Sequence, residues 1–565
     1  MESKQTSDDK DGKLVVVTLS KNPDDEEVNK RGQWASEVDY FLSVIGFCVS
    51  LGNVWRFPYI CNRNGGGAFL IPFIVCLVLC GLPLFLLEVA LGQFSAKSPL
   101  HIWSMCPMLK GVGFGVLIMC FGCTVYFTVI CAWSLYFAIY TLRPILPWTV
   151  CDNVWNTDAC VKRVNIGVLN CTKVNWTEQL NTTFNSVTTS YSNDSQVDGS
   201  RWNNDSLSHT AAEEFWQYKA LGISTGIHHL GPIKWELALC LFASWVVIFI
   251  CVARGVKSVG KAVYVTATFP YIILIVLLVR GLTLPGGTDG ALFYITPDFN
   301  KLLEIQVWLE ACLQVFYSLG PAWGCIITMA SYTKFNTNCL RNAIVFTFVC
   351  EGTSLFAGLV VFSVLGFMAH EAQVPITDVV SSGPGLGFVI YPEALAQLPL
   401  PQVWSFLFFI MLIFLALDSM GGVYVFQLLD WYLVAIFLIF TGLVECVTVA
   451  WIYGIRRFND DIEMMIGRQV PLFFKITWCY VTPAMLLTTL IFTFIQYQPP
   501  TYGKYVYPHY STVIGWIIAV LPMIPRIKMS LAPDASWIPA DRSYREQYLQ
   551  KHGHLSLSNV PSARR

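Results

Sequence analysis

Charged residues are scarce in this chain. They make up 13% of its 565 residues, whereas 55% are hydrophobic and the mean hydropathy is +0.54. So little charge excludes a soluble globular protein of this size and predicts a polytopic protein of the lipid bilayer. The net charge of −1 provides no overall field that would attract nucleic acid, so any effect of charge must be local.

Motifs of several enzyme classes are also missing. The sequence has no nucleotide-binding loop, no nucleophile triad pattern and no cluster with metal-ligand spacing. Most of the 19 cysteines lie in apolar segments, where cysteine behaves as a small hydrophobe. We therefore expect neither an enzyme nor an ATP-driven pump, and no organic cofactor. Residues 1–39 lack the apolar core of a signal peptide and are predicted to be a tail.

Membrane-length apolar segments recur after this tail. They lie at 40–61, 66–92, 112–143, 235–253, 262–281, 305–330, 342–368, 471–497 and 510–525, and the tract 402–454 is long enough for two more. Eleven spans predict an all-α polytopic membrane protein. We divide it into a first membrane unit (40–281), a second (305–454), two last spans (471–525) and a C-terminal tail (526–565).

A polar insert, 146–232, separates the third and fourth spans. Five N-x-S/T sequons fall within it, at Asn170, Asn175, Asn181, Asn193 and Asn204. This cluster predicts glycosylation, and hence an extracellular loop at the plasma membrane. Cys151 and Cys160 lie in the same loop and are predicted to form a disulfide. Three spans before an extracellular loop place the N-terminus in the cytoplasm, and the basic 254–261 connection agrees.

Two of the apolar segments contain residues that a lipid-facing helix should avoid. They are GFCVSLGNVWRFPYICNRNGGGAFLIPF at 46–73 and VFYSLGPAWG at 315–324. A broken helix in hydrocarbon is tolerated only where it is buried in protein or lines a cavity. One break alone is explained equally well as a kinked structural helix. Because inverted-repeat transporters carry one break in each half, the pair predicts a solute site.

Several motifs resemble those of a known family and occur in the same order. GNVWRFPY with NGGGAFLIPF, FYSLGPAWG running into ASYTKF, and LALDS resemble the sodium- and chloride-coupled neurotransmitter and amino-acid symporters over about 35–525, and the glycine transporters most of all. The resemblance implies an inverted-repeat fold with two discontinuous helices. It also implies import of a small neutral amino acid with Na⁺ and Cl⁻ by alternating access. Homo-oligomerisation stays open.

The resemblance implies two sodium sites. Sodium site 2 would use the carbonyls of Gly46, Val49 and Leu415 with the side chains of Asp418 and Ser419. Sodium site 1 would use the Cys48 carbonyl, Asn53, Ser318 and Cys350. A hard cation prefers oxygen ligands, so the thiol of Cys350, where the family has asparagine, weakens site 1. Glu351 points about 100° away from Cys350 on an ideal helix and is expected to substitute only after a register shift.

Chloride and substrate residues follow from the same resemblance. Chloride is expected near Gln314, Ser318 and Ser354, with one hydroxyl missing because Phe73 stands where the family has tyrosine. The substrate is expected to contact Ser50, Leu51, Gly52, Tyr126, Phe127, Tyr317, Gly320 and Trp323. The family's carboxylate-binding tyrosine corresponds to Phe127, so either the register slips to Tyr126 or that bond is absent. A neutral Ser50 disfavours monoamines, and the bulky Trp323 favours glycine.

Gates are implied on both sides of the membrane. Arg56 would pair with Asp430 outside, and Arg31, Trp34 and Tyr332 would form a latch inside, whose aspartate is missing. After LALDSM the chain continues with GGVYVFQLLDWY, which resembles the tenth span, so part of the eighth span and all of the ninth are absent. An incomplete gene model or skipped exon is the preferred interpretation, and a real eleven-span protein is the second. The alternative function is a truncated, non-transporting membrane glycoprotein that associates with family members.

Overall fold

The structure is a computed structural model that describes only part of the chain. The described residues are 7–8, 14–15, 32–50, 52–161, 209–223, 234–373, 375–376, 386–417 and 436–495, with short pieces between 501 and 548. Strands within these ranges are two residues long and pair as Ser7–Asp8 with Leu14–Val15, Cys160–Val161 with His209–Thr210, and Thr501–Tyr502 with Tyr505–Val506. All other regular structure there is helical, which confirms the predicted all-α class.

The α-helices are labelled in chain order. The first ten are α1 Glu37–Cys48, α2 Phe57–Arg63, α3 Gly67–Cys76, α4 Leu82–Ser95, α5 Lys110–Tyr140, α6 Ala211–Glu214, α7 Trp235–Val252, α8 Val256–Thr266, α9 Phe269–Thr283 and α10 Gly287–Ile295. The others are α11 Ile305–Leu319, α12 Cys325–Ala330, α13 Cys339–Ala372, α14 Tyr391–Ala396, α15 Pro401–Leu417, α16 Ile439–Val447, α17 Ile455–Ile466, α18 Leu472–Ile476 and α19 Thr482–Ile495.

Short turns of other helix types connect them. Turns of 3₁₀ helix lie at Ile102–Met105, Pro107–Leu109, Pro147–Thr149 and Phe299–Leu303. Turns of π-helix lie at Gly52–Arg56, Leu77–Gly81, Phe215–Leu221, Leu386–Ile390, Thr448–Gly454 and Thr477–Val481. The turn Leu77–Gly81 joins α3 to α4, so these helices form one continuous span.

Most of the predicted spans are helices of membrane length. Six in the described ranges qualify, Gly67–Ser95, Trp235–Val252, Ser258–Thr283, Cys339–Glu371, Ile436–Ile466 and Leu472–Ile495, and the bent pair Glu37–Cys48 and Gly52–Arg63 makes seven. The predicted span 112–143 largely coincides with α5, which ends at Tyr140. The segment 305–330 is divided between α11 and α12, and residues 418–435, directly after α15, are outside the described residues, so neither segment gives one described helix of membrane length. The last predicted span, 510–525, falls almost wholly outside the described residues.

α13 is the central helix, with 34 residues. Its N-terminus is capped by the side chain of Asn338, which accepts a hydrogen bond from the Arg341 N–H at 3.0 Å. The helices α4, α9, α10 and α11 pack against it, and so does the turn Gly52–Arg56. α13 therefore lies beside both predicted breaks.

The C-terminal segment, defined here as 537–548, packs on parts of the chain that are distant in sequence. Trp537 and Tyr548 are each 1% exposed. Both rings have their centroids 5.8 Å from that of Phe94 at the end of α4. The Tyr548 hydroxyl also hydrogen-bonds that of Tyr453 at 3.2 Å. The segment thus joins the end of α4 to the turn before α17.

Candidate substrate and ion site

The first discontinuous helix breaks after α1, where the chain bends by 53°. Within the break the Ser50 N–H donates to the Cys48 carbonyl at 3.1 Å and to the Asn53 side-chain oxygen at 3.0 Å. The Gly52 N–H donates to the Ser50 hydroxyl at 3.2 Å. These N–H groups, which a continuous helix would pair with carbonyls one turn earlier, are satisfied by side chains of the break itself.

The second discontinuous helix breaks between α11 and α12. Gly320, Ala322 and Gly324 have φ of 74°, 66° and 72°, in the left-handed region. Alanine rarely adopts such a conformation, and it does so here while its N–H donates to the buried carboxylate of Glu88 from α4. The Cys48 thiol donates to the carbonyl of Leu319 at 3.3 Å, which brings the two breaks together.

A polar cluster, composed of Asn53, Ser318, Cys350, Glu351 and Ser354, lies between the breaks and α13. The Asn53 amide nitrogen donates to the Ser354 hydroxyl at 2.7 Å and to the Cys350 carbonyl at 3.4 Å. All five side chains belong to residues that are at most 2% exposed. The structure therefore brings together Asn53, Ser318 and Cys350, which were predicted for sodium site 1, with Ser354, predicted for chloride.

Glu351 lies inside this cluster, so the expectation that it points away is wrong. The Ser318 hydroxyl donates to one oxygen of its carboxylate at 2.7 Å, and the Ser354 hydroxyl donates to the other at 3.0 Å. Residues three apart share a helix face, so Glu351 and Ser354 are neighbours on α13. The long glutamate side chain then reaches Ser318 on α11 without any register shift.

The other predicted chloride groups are engaged elsewhere. The Gln314 amide nitrogen donates to the Gly52 carbonyl at 3.2 Å, and its amide oxygen is buried with no partner among the described residues. Phe73 is fully buried, and its ring centroid lies 5.0 Å from that of Phe57 and 5.9 Å from that of Phe69. The position that lacks the family's hydroxyl is therefore part of an aromatic cluster.

The two glycines at the breaks face aromatic rings. A Cβ added to Gly52 would lie 2.7 Å from Cδ1 of Tyr317, and one added to Gly320 would lie 2.7 Å from Cε1 of Phe47. Either position can carry a side chain only if a ring moves. Trp323 lies in the same break, and its buried indole N–H has no partner among the described residues. Phe47, which lies just before the first break, was missed in the sequence.

Residues predicted for the gates lie at both ends of the discontinuous helices. The Arg56 guanidinium lies over the Tyr317 ring, 4.0 Å from its centroid. At the other end, the Trp34 indole N–H donates to the Met329 carbonyl at 3.0 Å, and the Trp34 backbone N–H donates to the Tyr332 carbonyl at 3.2 Å. The structure thus brings Trp34 and Tyr332 together, as the latch requires.

An ion pair that sequence reasoning missed links the ends of α2 and α11. Arg63 pairs with Glu310, which also accepts hydrogen bonds from Asn64 at 2.7 Å and from Gln306 at 2.8 Å. This ion pair therefore connects the first membrane unit to the second at a position later in the chain than Arg56. The run NRN at 62–64 forms the end of this helix but does not indicate the partner of Arg63.

Several predicted residues cannot be placed. Those outside the described residues are Arg31, Leu51, Asp418, Ser419, Asp430, Asn170, Asn175, Asn181, Asn193 and Asn204. The side chains of Tyr126 and Phe127 are outside them as well. Of sodium site 2, only Gly46, Val49 and Leu415 are described, and all three are buried. The predicted disulfide between Cys151 and Cys160 is present.

Two broken apolar helices that meet around a buried polar cluster define the architecture of a membrane transporter with a central solute site. The model of the sodium:neurotransmitter symporter family matches residues 31–421 and 419–532. The chain belongs to this family. It is therefore a multi-pass membrane transporter and not an enzyme, and the family implies no organic cofactor.

Two glycine transporters of Xenopus laevis are among its relatives. The chain is 40% identical over 576 residues to "Sodium- and chloride-dependent glycine transporter 2", covering 93% of this chain and 72% of that protein. It is 38% identical over 600 residues to "Sodium- and chloride-dependent glycine transporter 1", covering 94% of this chain and 92% of that protein. The predicted similarity to glycine transporters is thus confirmed.

Proposed function

We propose that this chain is a sodium-driven symporter that imports glycine, or a similarly small neutral amino acid, by alternating access at the plasma membrane. The observation that carries the proposal is the limited space at the two breaks. Tyr317 occupies the space beside Gly52, Phe47 occupies the space beside Gly320, and Trp323 adds an indole. These aromatic rings favour a substrate with a small side chain, and both relatives are named for glycine.

Sodium is the proposed driving ion at two sites. Site 2 consists of the carbonyls of Gly46, Val49 and Leu415 and the side chains of Asp418 and Ser419. Site 1 consists of the Cys48 carbonyl, Asn53, Ser318 and Cys350. Site 2 offers only the oxygen ligands that a hard cation prefers, whereas the thiol of Cys350 weakens site 1. The names of both relatives also include chloride, for which Gln314, Ser318 and Ser354 were expected; in this chain both serines already bind Glu351.

Alternating access requires that the site open to each side in turn. The stacking of Arg56 on Tyr317 supports an outer gate, and the hydrogen bonds of Trp34 support an inner latch. With the N-terminus in the cytoplasm, the loop 146–232 is extracellular, as its five sequons predict. A shift to lower apparent mass after enzymatic removal of N-glycans is the check on this orientation.

Uptake of radiolabelled glycine into cells that express the chain tests the proposal. We expect uptake to fall to the level of mock cells when choline replaces sodium, and equal uptake in the two media would overturn the claim. Gly52→Ala should abolish uptake, because its Cβ meets the ring of Tyr317. Gly352→Ala is the matched control, since a Cβ there meets open space. Surface biotinylation shows whether the variants reach the membrane equally.

A second candidate is a non-transporting membrane glycoprotein that associates with family members. It is favoured by the division of the family match into two segments that meet at 419–421, where the ninth span is missing from the sequence. The alignment with glycine transporter 1 also extends over 600 residues, more than the 565 of this chain, so it contains gaps in this chain. Glycine uptake above mock by the chain as written would exclude this candidate. The transcript across the LALDSM/GGVYV junction shows whether an exon restores the span.

A further inference from the structure

We infer that Glu351 is a fixed anion that takes the place of chloride beside sodium site 1, so that this chain couples to sodium without chloride. The inference rests on the proposed function for the sodium that the carboxylate would balance. It adds to that function that sodium binding at site 1 does not require chloride.

The hydroxyl hydrogens that an anion needs are already used. A serine hydroxyl has a single hydrogen to donate. In the polar cluster the carboxylate of Glu351 lies 2.7 Å from the Ser318 hydroxyl and 3.0 Å from the Ser354 hydroxyl. Ser318 has one other acceptor, the carbonyl of Gln314 at 2.9 Å, and the carboxylate is nearer. A chloride ion at this place would find neither hydrogen available.

The remaining groups expected to bind chloride do not compensate. One of the two amide hydrogens of Gln314 is directed to the Gly52 carbonyl. Phe73 has no hydroxyl and packs between Phe57 and Phe69. The two serines therefore offer no free hydrogen and Gln314 retains only its second amide hydrogen, whereas the place predicted for chloride already contains a carboxylate.

The charged form of Glu351 is stable at this buried place only with a cation nearby, because without one burial favours the protonated carboxyl. The residue is 1% exposed, and among the residues that the structure describes no lysine or arginine forms an ion pair with it. A buried carboxylate without a cation is unfavourable. Sodium bound by Asn53 and Ser318 would lie against Glu351 and balance its charge. A chloride ion in addition would meet a negative charge at close range, where repulsion is strong in a buried site.

The test is the sodium dependence of thermal stability of the full chain, purified in detergent and titrated with sodium chloride or sodium gluconate at constant ionic strength. We expect the native chain to need the same sodium concentration for half of its stabilisation in both salts. Glu351→Ser removes the carboxylate and frees both serine hydroxyls. In gluconate it should need on the order of tenfold more sodium, and chloride should reverse most of this loss.

Two further variants make the result interpretable. Glu351→Gln keeps the size of the side chain, so it serves if the serine variant does not fold, and it should weaken sodium binding in gluconate. Glu371→Ser makes the same change near the end of α13, where the side chain is 52% exposed, and should change nothing. A requirement of the native chain for chloride would overturn the inference. So would variants of Glu351 that bind sodium as the native chain does, or a native chain that sodium does not stabilise.

Glycine uptake in the two salts separates this inference from the proposed function. Sodium-dependent uptake that is equal in chloride and gluconate supports both. A native chain that binds sodium equally in both salts but does not take up glycine counts against the proposed function alone, because the binding measurement needs no transport. Uptake that falls severalfold in gluconate counts against the role of Glu351 alone.

Discussion

The two helix breaks meet at the same place in the molecule but are maintained differently. The first is stabilised by polar side chains, because Ser50 and Asn53 accept its N–H groups. The second is determined by backbone shape, with positive φ at three positions and the Ala322 N–H bound to Glu88. The groups at the first break can exchange their partners for ions or substrate. The backbone shape of the second break is fixed, so we propose that polar partners exchange mainly at the first break, while aromatic rings at both breaks limit the size of the substrate.

The largest expected effect is that of Gly320→Ala at the second break. The alanine would incur the cost of a left-handed backbone, about 1 kcal/mol or more, and its Cβ would meet the Phe47 ring at 2.7 Å. We expect loss of sodium-dependent glycine uptake at normal surface expression. Gly467→Ala is the control, because its φ is 70° but a Cβ there meets nothing within 4 Å. If both variants transport alike, the ring contact does not limit the site.

Asn53→Ala tests whether the first break recognises ions. The change removes the oxygen predicted for sodium site 1 and leaves the Ser50 N–H without its side-chain partner. Such losses correspond to about 1–3 kcal/mol, or roughly tenfold to a hundredfold in affinity. We expect the sodium concentration for half-maximal uptake to rise by this factor, while Asn300→Ala on the surface leaves it unchanged. An unaltered sodium dependence in the Asn53 variant would show that Asn53 does not bind the sodium ion.

Substitution of Glu88 tests whether the second break depends on the hydrogen bond that α4 provides to Ala322. Glu88→Leu leaves the buried N–H of Ala322 without an acceptor, which should cost about 1–3 kcal/mol of stability. Glu88→Gln retains an oxygen that can accept the same bond, so most of the stability should remain. The measurement is thermal unfolding in detergent. Equal loss in both variants would show that the charge, and not the acceptor, matters at this position.

The smallest effect is expected from Trp34→Phe, at the far end of the second discontinuous helix. The variant keeps an aromatic ring and loses only the hydrogen bond to the Met329 carbonyl, worth about 0.5–1.5 kcal/mol. We expect the inner latch to open more often, so that a cytoplasmic thiol reagent modifies Cys325 a few times faster. The same measurement on Cys325→Ser gives the background. A modification rate of Cys325 equal to that of the native chain would show that the Trp34 hydrogen bond does not keep the latch closed.

Glycine and proline within apolar segments were sufficient to locate both breaks. A hydrocarbon environment penalises interrupted backbone strongly, so GNVWRFP and SLGPAWG are incompatible with a continuous helix that faces lipid. The resemblance predicted Asn53, Ser318 and Cys350 for sodium site 1 and Ser354 for chloride. In the structure the Asn53 amide nitrogen donates to the Cys350 carbonyl and to the Ser354 hydroxyl, so these positions are neighbours, and their ion-binding roles stay predictions.

The directions of individual side chains were harder to predict from the sequence. Glu351 was placed outside the site because helical angle alone was considered, but a glutamate side chain extends far enough to reach a neighbouring helix. Phe47 was passed over because its role depends on the missing side chain of Gly320, which only three-dimensional contact reveals. The pairing of Arg63 with Glu310 joins residues 247 positions apart, and no local pattern predicts it.

The C-terminal segment has a practical consequence for anyone who shortens or tags this protein. Removal of the chain from Trp537 onwards would uncover the ring of Phe94 and deprive Tyr453 of the Tyr548 hydroxyl. Proteolysis at this end therefore removes packed residues and exposes apolar surface of the membrane-spanning part of the chain. An affinity tag is better placed after 548, where the packed rings are left intact.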